Sequence, residues 1–190
     1  MIGKHTAQII TLSRLAMMID SSDVCRRRHS YKVERYSILI CRRLRLPSHE
    51  VKIIKIASML HDIGKIGIDL TIIKKPAKLT PDEWAQVRLH PDIGANIVAQ
   101  LGSLAEAAPV IRYHHLRFNG GGYPDASRTG EDIPIGSRII AVTDAYDAMI
   151  NDRPYRRAMP REAAIAELKR CSGTQFDPTV VDAFLDEVKA

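Results

Sequence analysis

Apolar residues recur along most of the chain at intervals of three and four, the pattern of helices that bury one face. Ile9, Ile10, Leu15, Met18 and Ile19 predict an opening helix, and Val33, Tyr36, Leu39 and Ile40 predict the next. Ser48 can cap a third helix running toward His61. Thr80-Pro81-Asp82-Glu83 joins a threonine cap, a proline in the first turn and a glutamate three residues after the cap, a strong start signal. Further helices are expected over 82–101, 103–115, 137–150, 160–171 and 178–189, the last opened by Asp177-Pro178. Strand alternation is scarce, so the expected class is all-α. Residues 118–136, FNGGGYPDASRTGEDIPIG, form one long irregular segment. A loop of that length in a compact domain carries function or is disordered.

At 190 residues, with no repeat and no linker, the chain reads as one domain with a sizeable core; residues 1–20 are either its first helix or the end of a signalling helix. No apolar run approaches the ~20 residues of a membrane span, and the start lacks a secretory core, so a cytoplasmic protein is expected. Cys25, Cys41 and Cys171 are scattered and odd in number, which argues against a disulfide framework. The net charge of +6 comes largely from CRRRHS at 25–30 and CRRLRL at 41–46, which read as solvated helix faces. Nothing resembles a nucleic-acid-binding module, but the positive field suits a small polyanionic substrate.

The chemistry begins at ASMLHDIGKIGI, residues 57–68, where His61 and Asp62 close an apolar run. A buried imidazole or carboxylate costs several kcal/mol unless it is paired or metal-bound. His29, His90, His114, His115 and Asp144 each lie inside or at the end of an expected helix, with an apolar flank that would turn them inward. A lone histidine on such a face is usually an ordinary core residue. Five histidines and two aspartates on separate helices of one bundle are a poor match to coincidence and a good match to a metal site built from facing helices. Adjacent residues on a helix point ~100° apart, as ~3.6 residues per turn requires, so His61 and Asp62 can reach around a site together. The ligand count exceeds one tetrahedral ion and favours two. Imidazole-rich, thiolate-free ligation suits iron, manganese or zinc. Two such cations ~3.5–4 Å apart activate a bridging water and clamp a phosphoryl group, which is phosphoester hydrolysis.

The blocks HSYKV, HDIGKIGI, KKPAKLTPDEW, HPDIG, HHLRFNGGGYP, IPIGSRIIAVTDAYDAM, DRPYRRAM and GTQFDP follow one another from residue 29 to 178. In that order they resemble the HD-GYP phosphodiesterases, a branch of the HD hydrolase superfamily. The resemblance implies an all-helical HD bundle with an irregular GYP loop, cyclic di-GMP as substrate, and linear pGpG or GMP as product. It implies metal ligation by His29, His61, Asp62, His90, His114, His115 and Asp144, with Asp62 bridging two divalent ions, iron or manganese, and a metal-bridging hydroxide as nucleophile. Asp62 and Lys65 would be catalytic, with Lys65 on a non-bridging phosphate oxygen. Tyr123, Arg153 and Arg156 would meet substrate, while Asp147, one turn after Asp144, would contact substrate or orient a ligand. Gly122, Tyr123 and Pro124 supply the motif that names the family.

Three positions depart from the family pattern. Cys25 stands where members with a third metal carry glutamate, so two metals are expected. Leu116 replaces the glutamate that usually follows the paired histidines, and Asn119 replaces an aspartate, which removes charge beside the ligand pair and the loop. An alternative function is therefore a weakly active or inactive domain that senses cyclic di-GMP or docks a diguanylate cyclase through the GYP loop. A third is hydrolysis of another cyclic dinucleotide. The sequence leaves the oligomeric state open between a monomer and a homodimer, and it gives no reason to expect DNA, RNA or a membrane as partner.

Overall fold

The start signal at Thr80 is realised in full: Thr80 Oγ1 accepts from the Glu83 N–H at 3.3 Å, and the Glu83 carboxylate accepts from the Thr80 N–H at 2.7 Å. The helix it opens belongs to an all-helical computed structural model that describes residues 29–152 and 157–189. The expected opening helix, Cys25, Arg153 and Arg156 lie outside those residues. Within them run α1 (His29–Arg43), α2 (Ser48–Leu60), α3 (Leu70–Ile73), α4 (Pro81–Val87), α5 (His90–Ala99), α6 (Ala108–Arg112), α7 (Ile135–Ile150), α8 (Arg161–Arg170) and α9 (Pro178–Lys189), with 3₁₀ turns at Ile63–Gly67, Gly102–Ala107 and Gly130–Asp132. No strand forms among the described residues, where β pairing is limited to the single bridges Leu116–Gly122 and Ser172–Phe176.

Two expected helices prove to be composite. The span 82–101 divides into α4 and α5, because α4 closes its last turn through the Leu89 N–H on the Gln86 carbonyl and Pro91, lacking an N–H, opens a new first turn. The span 103–115 becomes a 3₁₀ turn followed by the short α6, with Pro109 again in the opening turn. Both breaks matter for chemistry. One puts His90 at the first residue of α5, and the other leaves His114 and His115 in the turn just after α6.

The core divides along α1, α2 and α7. Ile40, Ile54, Ile139, Val142 and Tyr146 pack with Leu168 of α8 and Phe184 of α9 in one cluster. Val33, Ile56, Leu60 and Ile140 pack with Ile63, Val98 and Ile111 in the other. Neighbouring positions such as Ile139 and Ile140 serve opposite clusters, as the helical angle between them permits. Each fully buried Ile or Leu stabilises the fold by about 1.5–3 kcal/mol relative to exposure. The second cluster continues directly into His61 and Asp62, which stand between Leu60 and Ile63.

Gly64 lets this turn lie flat on α5. A Cβ there would fall 1.9 Å from the His90 carbonyl oxygen and 2.5 Å from the Gly94 nitrogen, both backbone atoms. Gly64→Ala should therefore part the turn from α5 and destabilise the protein by about 1–3 kcal/mol or more. Urea unfolding of the metal-free protein measures this, and an unchanged midpoint would refute the close contact.

The segment 118–136 is ordered by backbone rather than by charge. Gly120, Gly121 and Gly122 take φ of +102°, +87° and +84°, which side chains disfavour. The Arg117 N–H donates to Gly121 O, the Tyr123 N–H to His115 O, the Phe118 N–H to Gln175 O and the Asn119 N–H to Thr174 O. The Tyr123–Pro124 peptide is cis. Leu116 is only 4% exposed and pairs with Gly122 across the base of the loop. Loss of a charge at this position thus leaves the loop anchored, with an apolar plug in its place. Asn119 likewise uses its main chain, and the GTQFDP block is the shelf on which the loop rests.

Candidate metal centre

Most of the site histidines owe their direction to a helix end, while Asp144 projects from the interior of α7. His61 caps the C-terminus of α2, and its Nδ1–H donates to the Ser58 carbonyl at 2.8 Å. His90 and His114 repeat this three-residue reach: the first donates to Val87 O at 2.7 Å and the second to Ile111 O at 2.6 Å. His29, at the start of α1, donates Nδ1–H to the Asp147 carboxylate at 2.7 Å. With Nδ1 so engaged, the Nε2 lone pair of each ring is aimed inward, the arrangement a metal-binding imidazole needs.

The inward atoms fall into two groups. One ligand atom from each of His29, His61 and Asp144 lies within 4.8 Å of the others, and the same holds for His90, His114 and His115. Asp62 stands between them. Its Oδ1 is 3.4 Å from His90 Nε2, while its Oδ2 is 3.7 Å from His61 Nε2 and 4.0 Å from His29 Nε2. One carboxylate thus turns one oxygen to each group.

This donor set can hold metal ions. Nε2 of His90 and of His114 is buried with no hydrogen-bond partner among the described residues, and a buried polar atom left so costs about 1–3 kcal/mol. Burial disfavours the charged imidazolium, which lowers His61 and His114 and takes His90 to about 3 and His115 to about 4. The rings are therefore neutral ligands at neutral pH. Burial alone would raise Asp144, but the hydrogen bond from His29 and the surrounding His29, His61 and His115 imidazoles hold its carboxyl well below the usual range. Neutral nitrogens with two carboxylates and no thiolate favour transition ions over magnesium alone.

These shifts carry a stability consequence for the metal-free protein. Between pH 6.5 and about 4 the unfolded chain binds protons at His90 and His115 that the folded chain excludes. Stability should thus fall as the solution is acidified through this window, by up to ~1.4 kcal/mol per pH unit for each histidine. Denaturant midpoints at pH 7 and pH 5 in the presence of chelator test this. Equal midpoints would show that the rings are less desolvated than their burial implies.

Around these groups the remaining expected residues are unevenly placed. Lys65 is nearly buried and donates from Nζ to Asp62 Oδ2. Tyr123 lies beside the second group, its ring centroid 4.7 Å from that of His115, with the Arg88 guanidinium 5.7 Å over it. Asp147 is 3% exposed, takes the His29 proton and accepts from Asn151 Nδ2 at 2.9 Å. Its carboxylate is thus engaged by His29 and Asn151. Asn151, Lys32 and Arg88 were not anticipated. Asn151 follows Asp147 by one helical turn and Lys32 donates to its side chain, a spacing that could have been noticed; nothing local marks Arg88.

The fold and site together define an all-helical bundle whose helix ends converge on a histidine–aspartate metal-type centre. The chain belongs to the HD domain family, whose model matches residues 13–180. It is 40% identical over 177 residues to the cyclic di-GMP phosphodiesterase response regulator RpfG of Xanthomonas campestris pv. campestris, a match covering 92% of this chain and 47% of that protein. It is 39% identical over 176 residues to a cyclic di-GMP phosphodiesterase of Thermotoga maritima, covering 92% of this chain and 48% of that one. The chain thus spans about half the length of these curated relatives. Among solved structures, a cyclic GMP-AMP specific phosphodiesterase of Vibrio cholerae superposes with a TM-score of 0.75 at 20% identity, over 95% of this chain and 48% of the other, and shows the same fold. No helix among the described residues is long and apolar enough to cross a membrane.

Proposed function

We propose that this chain is a metal-dependent phosphodiesterase that hydrolyses cyclic di-GMP to linear pGpG or GMP. The observation that carries the proposal is Asp62, a single carboxylate with one oxygen toward each of two three-residue groups. His29, His61 and Asp144 would hold one ion and His90, His114 and His115 the other, with Asp62 shared. Iron or manganese suits the donors. Such a pair of ions supplies a water of lowered pKa and neutralises charge on the phosphodiester.

The chain's own residues complete the reading. Lys65 reaches the centre beside Asp62 and would meet a non-bridging phosphate oxygen. Tyr123 borders the second group, and Arg153 and Arg156 would hold a phosphate or a guanine edge through their planar forks. The names of the relatives support cyclic di-GMP as substrate, and a nucleotide messenger of this kind would be met in the cytoplasm. Hydrolysis joins a water oxygen to phosphorus and breaks the bond to the 3′ oxygen, which leaves with a proton.

The test is chromatography of products from cyclic di-GMP and from cyclic GMP-AMP, in isotopically labelled water, with protein of known metal content. About two transition ions per chain and label on the released 5′ phosphate of pGpG are expected. Binding without hydrolysis would instead support a sensor or a module that docks a diguanylate cyclase through the GYP loop.

A further inference from the structure

His115 differs from the other inward histidines. His29, His61, His90 and His114 each have Nδ1 fixed by a hydrogen bond, whereas among the described residues no side-chain hydrogen bond reaches either ring nitrogen of His115. A metal ligand without such a partner can rotate, and ligand rotation weakens binding. What His115 has instead is packing. Its ring lies 4.0 Å from that of His114 at 42° and 4.7 Å from that of Tyr123 at 32°, both in tilted contact. His90 meets it edge-on at 5.1 Å.

Tyr123 is itself held firmly enough to serve as a wall. Its N–H donates to the carbonyl of His115, so ring and backbone engage the same residue. The preceding Gly122 makes that approach feasible, since a Cβ there would fall 2.3 Å from His115 O. Arg88, two residues before His90, lays its guanidinium over the Tyr123 ring, 5.7 Å from the centroid. The His115 ring is therefore held between the loop, the turn after α6 and the first residue of α5.

We infer that Tyr123 is a positioning residue, whose aromatic ring fixes the orientation of His115 and thereby sets the affinity of the His90, His114 and His115 group for its metal ion. The inference rests on the two-metal reading above and adds a duty for the GYP loop that is independent of substrate. The ring, rather than the phenol hydroxyl, performs it. Occupancy of one ion is coupled in this way to the folding of residues 118–136, while the His29, His61 and Asp144 group, remote from the loop, is left alone.

Cobalt(II) titration of the chelator-treated full chain tests this, followed by visible absorption and equilibrium dialysis. The unmodified protein should bind two ions, and Tyr123→Phe should match it in affinity and spectrum. Tyr123→Leu and Tyr123→Gln should each bind one ion normally and the other about 10–100-fold more weakly, the usual loss when an orienting partner is removed. His115→Ala with Tyr123→Leu should bind no more weakly than His115→Ala alone, because the tyrosine acts through that histidine. Unfolding midpoints in chelator establish that every variant is folded. Two tightly held ions in both Tyr123→Leu and Tyr123→Gln would overturn the inference while leaving the two-metal reading intact, as would a loss in Tyr123→Phe equal to that in Tyr123→Leu, or additive losses in the double variant. An unmodified protein that binds no cobalt would overturn both.

Discussion

Asp62→Ala is expected to reduce bound transition metal from about two ions per chain to well below one and to abolish hydrolysis. His90, His114 and His115 are neutral at working pH, and Asp62 turns a carboxylate oxygen to within 3.4 Å of His90 Nε2, so without it a dication there would rest mainly on imidazoles. The other group keeps Asp144 but loses the oxygen that stands 3.7 Å from His61 Nε2. Asp144→Asn makes the informative contrast. Asp144 offers a ligand atom close to His29 and His61, so on the proposed reading this variant should lose one ion and keep the other. Elemental analysis of anaerobically purified protein distinguishes the cases. One ion retained with full turnover in Asp62→Ala would end the two-metal mechanism.

The centre was legible in the sequence because burial of charge-bearing groups is costly and seven such residues with apolar flanks need a common explanation. Position along helices was less legible. The run 82–101 has the periodicity of one helix, yet Pro91 ends it as such, and this break is what turns His90 inward. A proline shortly after a polar residue was the available signal. The long loop was visible from its glycines, but its support on Thr174 and Gln175 uses main-chain groups that every residue carries, so no side-chain pattern could reveal it. Leu116 shows the same limit from the other side: read as a missing charge, it is a buried plug. Asp147 illustrates how spacing gives proximity without direction. One turn from Asp144, it shares that helix face, yet its carboxylate turns back to His29 and Asn151.

Lys65→Ala should lower kcat by about 10²–10³, ~2.7–4 kcal/mol of barrier, with a modest change in KM. Lys65 sits three residues after Asp62, and its ammonium touches the Asp62 carboxylate from a nearly buried stem. On the proposed reading, charge fixed there would stabilise the negative charge that grows on the phosphoryl oxygens as the ester bond breaks, and it would need no reorganisation to do so. A second role is conceivable for the same contact, in which Lys65 merely steadies Asp62 for the metals. Electrostatics separates the two. A cation beside two dications repels them, so its removal should leave metal content unchanged or slightly higher if its task is the transition state. If it steadies Asp62, metal content falls with activity. Arg153→Ala provides the counterpart, raising KM with little loss of kcat, because a residue that holds substrate before the reaction contributes uniform binding. Steady-state kinetics on variants of verified metal content decides the matter: equal losses of kcat in both, or metal loss in Lys65→Ala, would refute the assignment of Lys65 to the reacting phosphate.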